Sequence, residues 1–403
     1  MAAEPRRASE ADRGTNQTGG RLYNERLVLS LVRDHGRLAR AEIARRTGLS
    51  AQTISLIVRQ LELDGLLARE APVRGRIGQP SVPLALRPDG AFSLGLRFGR
   101  RGGDLILMDF AGAVRASRQV SFPYPTPARL LGFAKRAVSA ITAGLTAEQR
   151  ARIGGLGVAV PFELWEWEEE VGAPEGALAA WRNFDIGEAL AELCPWPVHL
   201  CNDANAACAA ELVFGNPGRH ADFAYVFFAA LIGGGVVTDG VLQLGRSGHG
   251  GAIGSMPVPG TSGAPAGMLI RRASLYLLEE RLAAAGHDPA ALWRRHDDWS
   301  GFEPALGEWI EAATDALAFA VLATLAVFEF EAVVIDGAFP AAVRRRVVER
   351  LRAKLGALDR RGLPQAAIIE GTVGAAARAL GAAALPLLAQ FSRDRDVLFK
   401  ARA

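Results

Sequence analysis

The sequence predicts an α/β protein that carries a small helical domain at its N-terminus. Composition changes near residue 88: residues 21–87 combine helical patterns with many arginines, whereas the chain beyond them is rich in glycine. In that second part, apolar strand-like runs, glycine turns and helical stretches alternate twice. Such alternation is typical of α/β folds, and its repetition predicts two lobes with a cleft between them.

Two short helices separated by a glycine are predicted between residues 38 and 61. Ile43 gives the first helix an apolar side, and Gly48 can adopt the positive φ that ends a helix. The Ser50 hydroxyl can cap the helix that follows. That helix has apolar residues spaced i, i+3, i+4 and i+7, which are Ile54, Ile57, Val58 and Leu61.

The other side of the second helix carries short or flexible polar side chains, concentrated in its first turns. Such residues can read base edges when a helix enters the major groove of DNA. Helical hairpins also occur in proteins that bind no DNA, so the pattern alone leaves both interpretations open. The predicted DNA contacts of this unit are Arg40, Ser50, Gln52, Thr53, Ser55 and Arg59.

The flanking sequence favours DNA binding. Residues 21–33 predict a preceding helix, and residues 66–86 predict a hairpin of two short strands. Arg74 and Arg76 lie at the hairpin turn, where basic residues suit a wing that rests on the phosphate backbone. The sequence therefore predicts a winged helix-turn-helix domain over residues 21–88, with double-stranded operator DNA as its partner.

Charge is distributed unevenly along the chain. Residues 21–87 contain twelve arginines and six acidic residues, a net charge of +6, whereas the whole chain carries only +3. A basic surface confined to one segment indicates that this segment alone meets a polyanion. The alternative is an ordinary solvated surface in a chain that uses Arg rather than Lys.

Composition also bears on the cellular compartment. Residues 1–20 are polar and predict a disordered tail rather than a secretory signal. The uncharged apolar run at residues 316–328 is shorter than a membrane span and predicts a buried core helix. Cys194, Cys201 and Cys208 form no C-x-x-C pair, and their spacing fits no common metal site. We expect a cytoplasmic protein with reduced, packed thiols and no contact with a membrane.

Three motifs follow one another in the glycine-rich part: Asn202-Asp203-Ala204-Asn205, the glycine run at residues 232–240, and residues 248–257. In order and spacing they resemble the signature of the ROK family, named for repressors, open reading frames and kinases. The resemblance implies a two-lobed sugar-kinase fold of the actin and hexokinase type, and the winged helix in front is similar to the repressor branch. The implied division is a tail at 1–20, the winged helix-turn-helix domain at 21–88, lobe 1 at 89–200 completed by a C-terminal helix at 385–403, and lobe 2 at 201–384.

The sequence departs from the phosphate-binding parts that the resemblance implies. In the family's kinases an Asp, a Gly pair and a Thr or Ser open the first lobe, but Arg97 stands at the position of the acid and the hydroxyl is missing. In the second lobe, Ala229-Ala230-Leu231 replaces a Gly-Thr-Gly. Phosphoryl transfer depends on positioning and charge neutralisation, so we expect no enzyme activity and no cofactor. A sugar kinase with a divergent ATP site, fused to a DNA reader, is the alternative.

The sugar site implied by the resemblance is partly kept. Asp203 matches the carboxylate that accepts a proton from a sugar hydroxyl, and Asn202 beside it matches a residue that hydrogen-bonds the ring. The family's Glu and His are replaced by Ala252 and Ser255, and His249 is close enough in sequence to substitute for the lost His. Asp203 could instead be a helix cap, and His249 a solvated residue.

Aromatic residues complete the predicted effector site. Trp165 and Trp181 could stack on a sugar ring, although packing explains them nearly as well. Residues 260–265 contain no cysteine where the family has a zinc segment, so no metal is expected. We therefore expect a homodimeric or homotetrameric repressor of sugar-related genes that binds a carbohydrate-like effector; a DNA-bound scaffold without ligand is a further alternative. The predicted effector contacts are Asn202, Asp203, His249, Ser255, Trp165 and Trp181.

Overall fold

The structure, a computed structural model, describes residues 17–72, 82–216, 220–260, 265–294 and 297–393. Its N-terminal domain consists of three helices and a small antiparallel sheet in the order β1-β3-β2. Arg74 and Arg76 of the predicted wing lie outside the described residues. The elements are α1 (Gln17–His35), β1 (Leu38–Ala39), α2 (Arg40–Thr47), α3 (Ala51–Leu63), β2 (Leu67–Arg69) and β3 (Pro83–Leu86).

The turn between α2 and α3 forms as the sequence predicts. Gly48 has φ 69°, and its N–H donates to the Ala44 carbonyl at 3.0 Å. The Ser50 hydroxyl accepts from the Thr53 N–H at 3.1 Å and so caps α3. One boundary was wrong: residues 17–20 belong to α1 rather than to a tail, since the helix begins at Gln17.

Lobe 1 is built on a five-stranded sheet in the order β6-β5-β4-β7-β8. Strands β4, β5 and β6 form an antiparallel meander, and β7 and β8 run parallel to β4. The helix α4 buries Leu130 and Phe133 against this sheet. The elements are β4 (Phe92–Gly99), β5 (Gly102–Asp109), β6 (Val114–Ser121), α4 (Pro127–Ala143), α5 (Ala147–Ala151), β7 (Ile153–Val160), α6 (Glu168–Val171), α7 (Ile186–Ala191) and β8 (Val198–Asn202).

Lobe 2 repeats this plan with a sheet in the order β11-β10-β9-β14-β15. Strands β9, β14 and β15 are parallel, and β10 pairs antiparallel with β9. The elements are α8 (Asp203–Phe214), β9 (Phe223–Phe228), β10 (Gly233–Thr238), β11 (Val241–Leu242), β12 (Pro257–Val258), β13 (Gly267–Met268), α9 (Ile270–Ala273), α10 (Tyr276–Ala284), α11 (Ala291–Arg294), α12 (Ala305–Val327), β14 (Ala332–Gly337), α13 (Ala341–Ala357) and β15 (Ala367–Glu370). The last helix, α14 (Ala377–Phe391), returns to lobe 1 and packs on its sheet.

The helices α8 and α14 lie between the two sheets and touch through glycines. A Cβ at Gly381 would lie 1.6 Å from the Ala206 carbonyl oxygen, and one at Gly157 of β7 would lie 1.7 Å from the Ala382 carbonyl oxygen. No side chain fits at either point, so glycine allows α14 to approach both α8 and the lobe 1 sheet. The helix α14 begins at Ala377, earlier than the expected 385.

Two further expectations for lobe 2 can be compared with the structure. The glycine run at residues 232–240 contains the strand β10, in which Gly234 and Gly235 pair with β9. The apolar run at residues 316–328 follows α12 to its end at Val327. Leu317 and Val321 are buried in the lobe 2 core as predicted, whereas Val327 and Phe328 are exposed. With its 23 residues, however, α12 is longer than that run, and α12 and the C-terminal helix both have the length and composition of a membrane-crossing helix.

The three cysteines are free and buried. Burial raises the pKa of each thiol. Protonated, buried thiols are poor nucleophiles and poor metal ligands, so these residues act as packing, in agreement with the sequence.

Candidate DNA-reading surface and interlobe cleft

One face of α3 is open to solvent while the opposite face forms the core of the N-terminal domain. Gln52, Ser55 and Arg59 are exposed along this face at spacing i, i+3 and i+7. Leu56 lies among them and is 63% exposed. It falls outside the buried apolar stripe of α3, so the spacing could have identified it. An apolar side chain in a reading face can contact the methyl group of thymine, so Leu56 joins the candidate DNA contacts.

Several predicted DNA contacts already have partners within the domain. The Ser50 and Thr53 hydroxyls lie 2.8 Å apart, and the Ser55 hydroxyl donates to the Ala51 carbonyl at 2.8 Å. The Arg40 Nη2 lies 3.4 Å from the Glu62 Oε2. Gln52 and Arg59 are the two longest polar side chains that the exposed face presents.

A cleft of about 570 Å³ separates the lobes. Its walls come from the β4–β5 hairpin, the cleft-facing side of β6, the segment after β9, and the starts of α8 and α14. Asp203, the first residue of α8, lines it as expected, and so do Ala229, Ala230 and Leu231.

Ion pairs dominate the cleft wall. The Arg378 Nη1 lies 3.3 Å from the Asp203 Oδ2, and Arg97 pairs with Asp104 across the β4–β5 hairpin. Burial, and next the positive charge of Arg97, lower the pKa of the Arg378 guanidinium. The carboxylate that the resemblance makes a proton acceptor is therefore held by a buried cation from α14.

A third ion pair bridges the lobes directly. Arg100, in the turn after β4, binds Glu279 of α10, which also accepts a hydrogen bond from the Trp293 indole. Both charged side chains are nearly buried, with 12% and 7% exposure. Sequence reasoning missed this bridge; the Gly99-Arg100-Arg101-Gly102 turn was the only local signal for it.

The other predicted effector residues are distributed around the cleft rather than along its wall. The Asn202 Oδ1 accepts from the Ala204 N–H at 2.9 Å, so Asn202, not Asp203, caps α8. Ser255 is exposed in a short 3₁₀ turn. The His249 Nε2 lies 3.8 Å from the Glu163 Oε1, and its ring lies 5.3 Å from that of Phe162. His249 thus contacts the segment that follows β7 in the other lobe.

The two predicted effector tryptophans lie in different environments. Trp181 is 7% exposed, its indole N–H donates to the Pro125 carbonyl at 2.9 Å, and its ring packs against Phe98 and Phe184. It belongs to the lobe 1 core, so its assignment as an effector contact is corrected. Trp165 is half-buried at the edge of the same core.

Sequence comparison identifies two kinds of domain in the chain. Residues 21–68 match the sequence profile of a winged helix-turn-helix DNA-binding domain, and residues 93–268 match that of the ROK family. Residues 93–268 are a ROK family domain. The predicted architecture, a winged helix-turn-helix followed by a ROK fold, is thereby confirmed.

Two relatives align with more than half of the chain. It is 27% identical to the uncharacterized protein y4fQ of Sinorhizobium fredii over 91% of each chain. It is 25% identical to the xylose repressor of Bacillus subtilis over 60% of this chain and 62% of the repressor. The chain thus spans less than two thirds of the length of that repressor.

Solved structures show the fold. A ROK family transcriptional regulator, a homolog of the E. coli MLC protein, superposes with a TM-score of 0.64 at 18% identity over 93% of this chain and 98% of that one. A ROK family glucokinase from Streptomyces griseus superposes with a TM-score of 0.57 at 18% identity, covering 73% of this chain and 99% of its own. The regulator structure covers the N-terminal domain as well.

The N-terminal domain packs directly on the ROK domain. A cavity of about 260 Å³ lies between α1 and the ends of α8 and α14, with Leu29, Phe214 and Phe391 in its wall. The Arg33 Nη1 donates to the Ser392 hydroxyl at 2.8 Å. The Phe110 and Phe391 rings lie 4.8 Å apart, within the hydrophobic cluster of the N-terminal domain. The two domains therefore share an apolar junction.

Proposed function

We propose that this protein is a sequence-specific DNA-binding regulator of transcription, a repressor of sugar-related genes, whose ROK cleft binds a small carbohydrate-like effector. The winged helix-turn-helix domain and the similarity to xylose repressors support this proposal. The effector contacts would be Asp203 and the cleft wall, with Asn202, His249, Ser255 and Trp165 nearby.

The main support for this proposal is the path of α8 and α14 between the cleft and the N-terminal domain. Both helices begin at the cleft, where Asp203 meets Arg378, and both end at the junction, where Phe214 and Phe391 face α1. A ligand that favours one arrangement of the lobes would shift these helices, and the N-terminal domain packed on their ends would follow. Binding at one end of the helix pair can thus change DNA affinity at the other.

The cleft favours binding over phosphoryl transfer. The Asp203 carboxylate is occupied by Arg378, and Arg97 places a cation near the position where a metal-organising acid would be needed. Ala229, Ala230 and Leu231 offer no side-chain hydroxyl to a phosphate. We therefore propose a non-enzymatic role and expect no sugar phosphorylation.

The proposed oligomeric state follows from the way in which helix-turn-helix proteins bind DNA. Helix-turn-helix proteins generally read two half-sites with two copies related by a two-fold axis. We propose that this chain acts as a homodimer, or as a homotetramer built from such dimers, in the cytoplasm. Neither α12 nor α14 would then meet a lipid bilayer.

Selection of DNA by the full-length protein from random duplexes tests the proposal. We expect enrichment of one sequence with two-fold symmetry, and release of that sequence by at least one compound in a panel of sugars and sugar derivatives. ATP turnover, measured on the same preparation with xylose, glucose and N-acetylglucosamine, should stay at background. Failure to enrich any sequence, or sugar-dependent ATP turnover that Asp203→Ala abolishes, would contradict the proposal.

A further inference from the structure

The wall of the interlobe cleft carries an excess of positive charge. Four arginines line it, Arg97, Arg100, Arg101 and Arg378, against two acidic residues, Asp104 and Asp203. Glu279 compensates Arg100 from lobe 2. Arg101 is exposed to the cleft and has no ion-pair partner among the residues that the structure describes.

Two of these arginines converge on one point. A Cβ at Gly99 would lie 2.9 Å from the Arg97 Nη1 and 3.8 Å from the Arg378 Nη1, so both guanidinium groups approach the same part of the hairpin. Their side chains are only 18% and 11% exposed. The Arg378 Nε is buried without a hydrogen-bond partner in the described part of the chain.

Like charges that face each other away from bulk water are unfavourable unless anions lie beside them. Asp104 and Asp203 supply one carboxylate each to Arg97 and Arg378, and Arg101 adds a further positive charge to the same wall. The guanidinium fork matches the oxygens of phosphate and carboxylate groups in a planar, two-bond geometry. Burial, and next the positive charge of Arg97, lower the pKa of the Arg378 guanidinium, while Asp203 and Asp104 oppose this effect. An anionic ligand group would add negative charge beside these arginines.

The rest of the cleft suits a polyhydroxy body. Ser117, Gln119 and Ser121 alternate along β6 and line the cleft together, opposite Asp104 on β5. Their side chains can exchange hydrogen bonds with hydroxyl groups. The volume of about 570 Å³ lies within the range of small-molecule sites.

We propose that the effector is an anionic sugar derivative, a sugar phosphate or sugar acid, whose charged group is bound by Arg97, Arg101 and Arg378. This inference rests on the proposed function only in that the cleft is taken as the effector site. Neutral sugars then lack the group that joins the arginines, and they bind weakly.

Calorimetric titration of the full chain with matched ligands tests this proposal without any DNA. The pairs are glucose with glucose 6-phosphate and xylose with xylose 5-phosphate, with gluconate and inorganic phosphate as further probes. We expect at least one anionic probe to bind about tenfold or more tightly than its neutral parent, and Arg101→Gln to remove most of that difference.

Arg118→Gln is the matched control. Arg118 is exposed on β6, does not line the cleft, and pairs with Leu105 of the lobe 1 core. The Arg118→Gln variant removes one positive charge from β6 and should leave ligand binding unchanged.

The double variant R97Q/D104N replaces the ion pair of the hairpin with an uncharged, hydrogen-bonded pair. It should weaken binding of the anionic probes, as Arg101→Gln does.

Each outcome decides the question. Equal binding of neutral and anionic partners, anion binding that Arg101→Gln and R97Q/D104N leave intact, or no binding of any anionic probe at millimolar concentration overturns the proposal. DNA selection that succeeds while these titrations fail would leave the regulator function standing and reject only the anionic effector. Selective anion binding by a protein that selects no DNA would support the anionic ligand site and reject the regulator function.

Discussion

The recognition helix α3 and the interlobe cleft are built in opposite ways. In α3 and its cap, fourteen consecutive residues (50–63) provide the cap, the buried stripe and the exposed reading face. The cleft collects its side chains from segments as far apart in sequence as Arg97 and Arg378. A substitution on the exposed face of α3 should therefore change one contact, whereas a substitution in the scaffold of the cleft should change several at once.

The largest effect should come from the contact between α8 and α14. In Gly381→Ala the new Cβ would lie 1.6 Å from the Ala206 carbonyl oxygen, so the helices must separate. We expect the free energy of unfolding to fall by about 3 kcal/mol, measured by urea denaturation.

Gly356→Ala provides the control, because Gly356 lies in the helix α13 with nothing within 4 Å of its Cβ position. Alanine favours the helix, so this variant should gain up to about 1 kcal/mol. Equal stability changes in the two variants would show that α8 and α14 are not in close contact.

The next effect concerns base reading by α3. Gln52→Ala removes an amide from the first turn of the reading face, and we expect a loss of about 1 to 3 kcal/mol of discrimination at one operator position. Gln60→Ala is the control, since Gln60 lies at the other end of α3 and donates to Asp64 at 2.8 Å. Binding to a panel of operator variants measures both; a uniform loss across all sequences for Gln52→Ala would contradict base reading.

The smallest effect concerns the wing, where the sequence predicts a phosphate contact by Arg76. Arg76→Ala should weaken binding to all sequences alike. The plot of log affinity against log salt concentration has a negative slope, and the variant should reduce the magnitude of that slope by about 1. Fluorescence anisotropy over a salt series measures this slope. A changed operator preference with an unchanged slope would assign Arg76 to base reading instead.

The same contrast explains what could be predicted from the sequence. Gly48, Ser50 and the stripe of α3 act through neighbours within a few residues, so spacing predicts them. Asp203 was placed in the cleft through a motif, but its partner Arg378 lies on α14 and no local pattern connects the two.

Trp181 is a residue whose predicted role was wrong. Its position in the sequence favoured a ligand contact, but Phe98, Phe184 and the Pro125 carbonyl enclose it, and these lie on other segments. The junction at Phe110 and Phe391 had no sequence signal either, because it depends on how the two domains pack.

The central claim is that occupation of the cleft changes DNA affinity through α8 and α14. The most direct test measures operator affinity by anisotropy with and without the tightest-binding sugar derivative, and then measures the affinity of that compound with and without operator. We expect the two ratios to be equal, at about 5-fold to 150-fold, and to fall towards 1 in Asp203→Asn while operator binding itself remains. A compound that binds the cleft and leaves operator affinity unchanged would contradict the account.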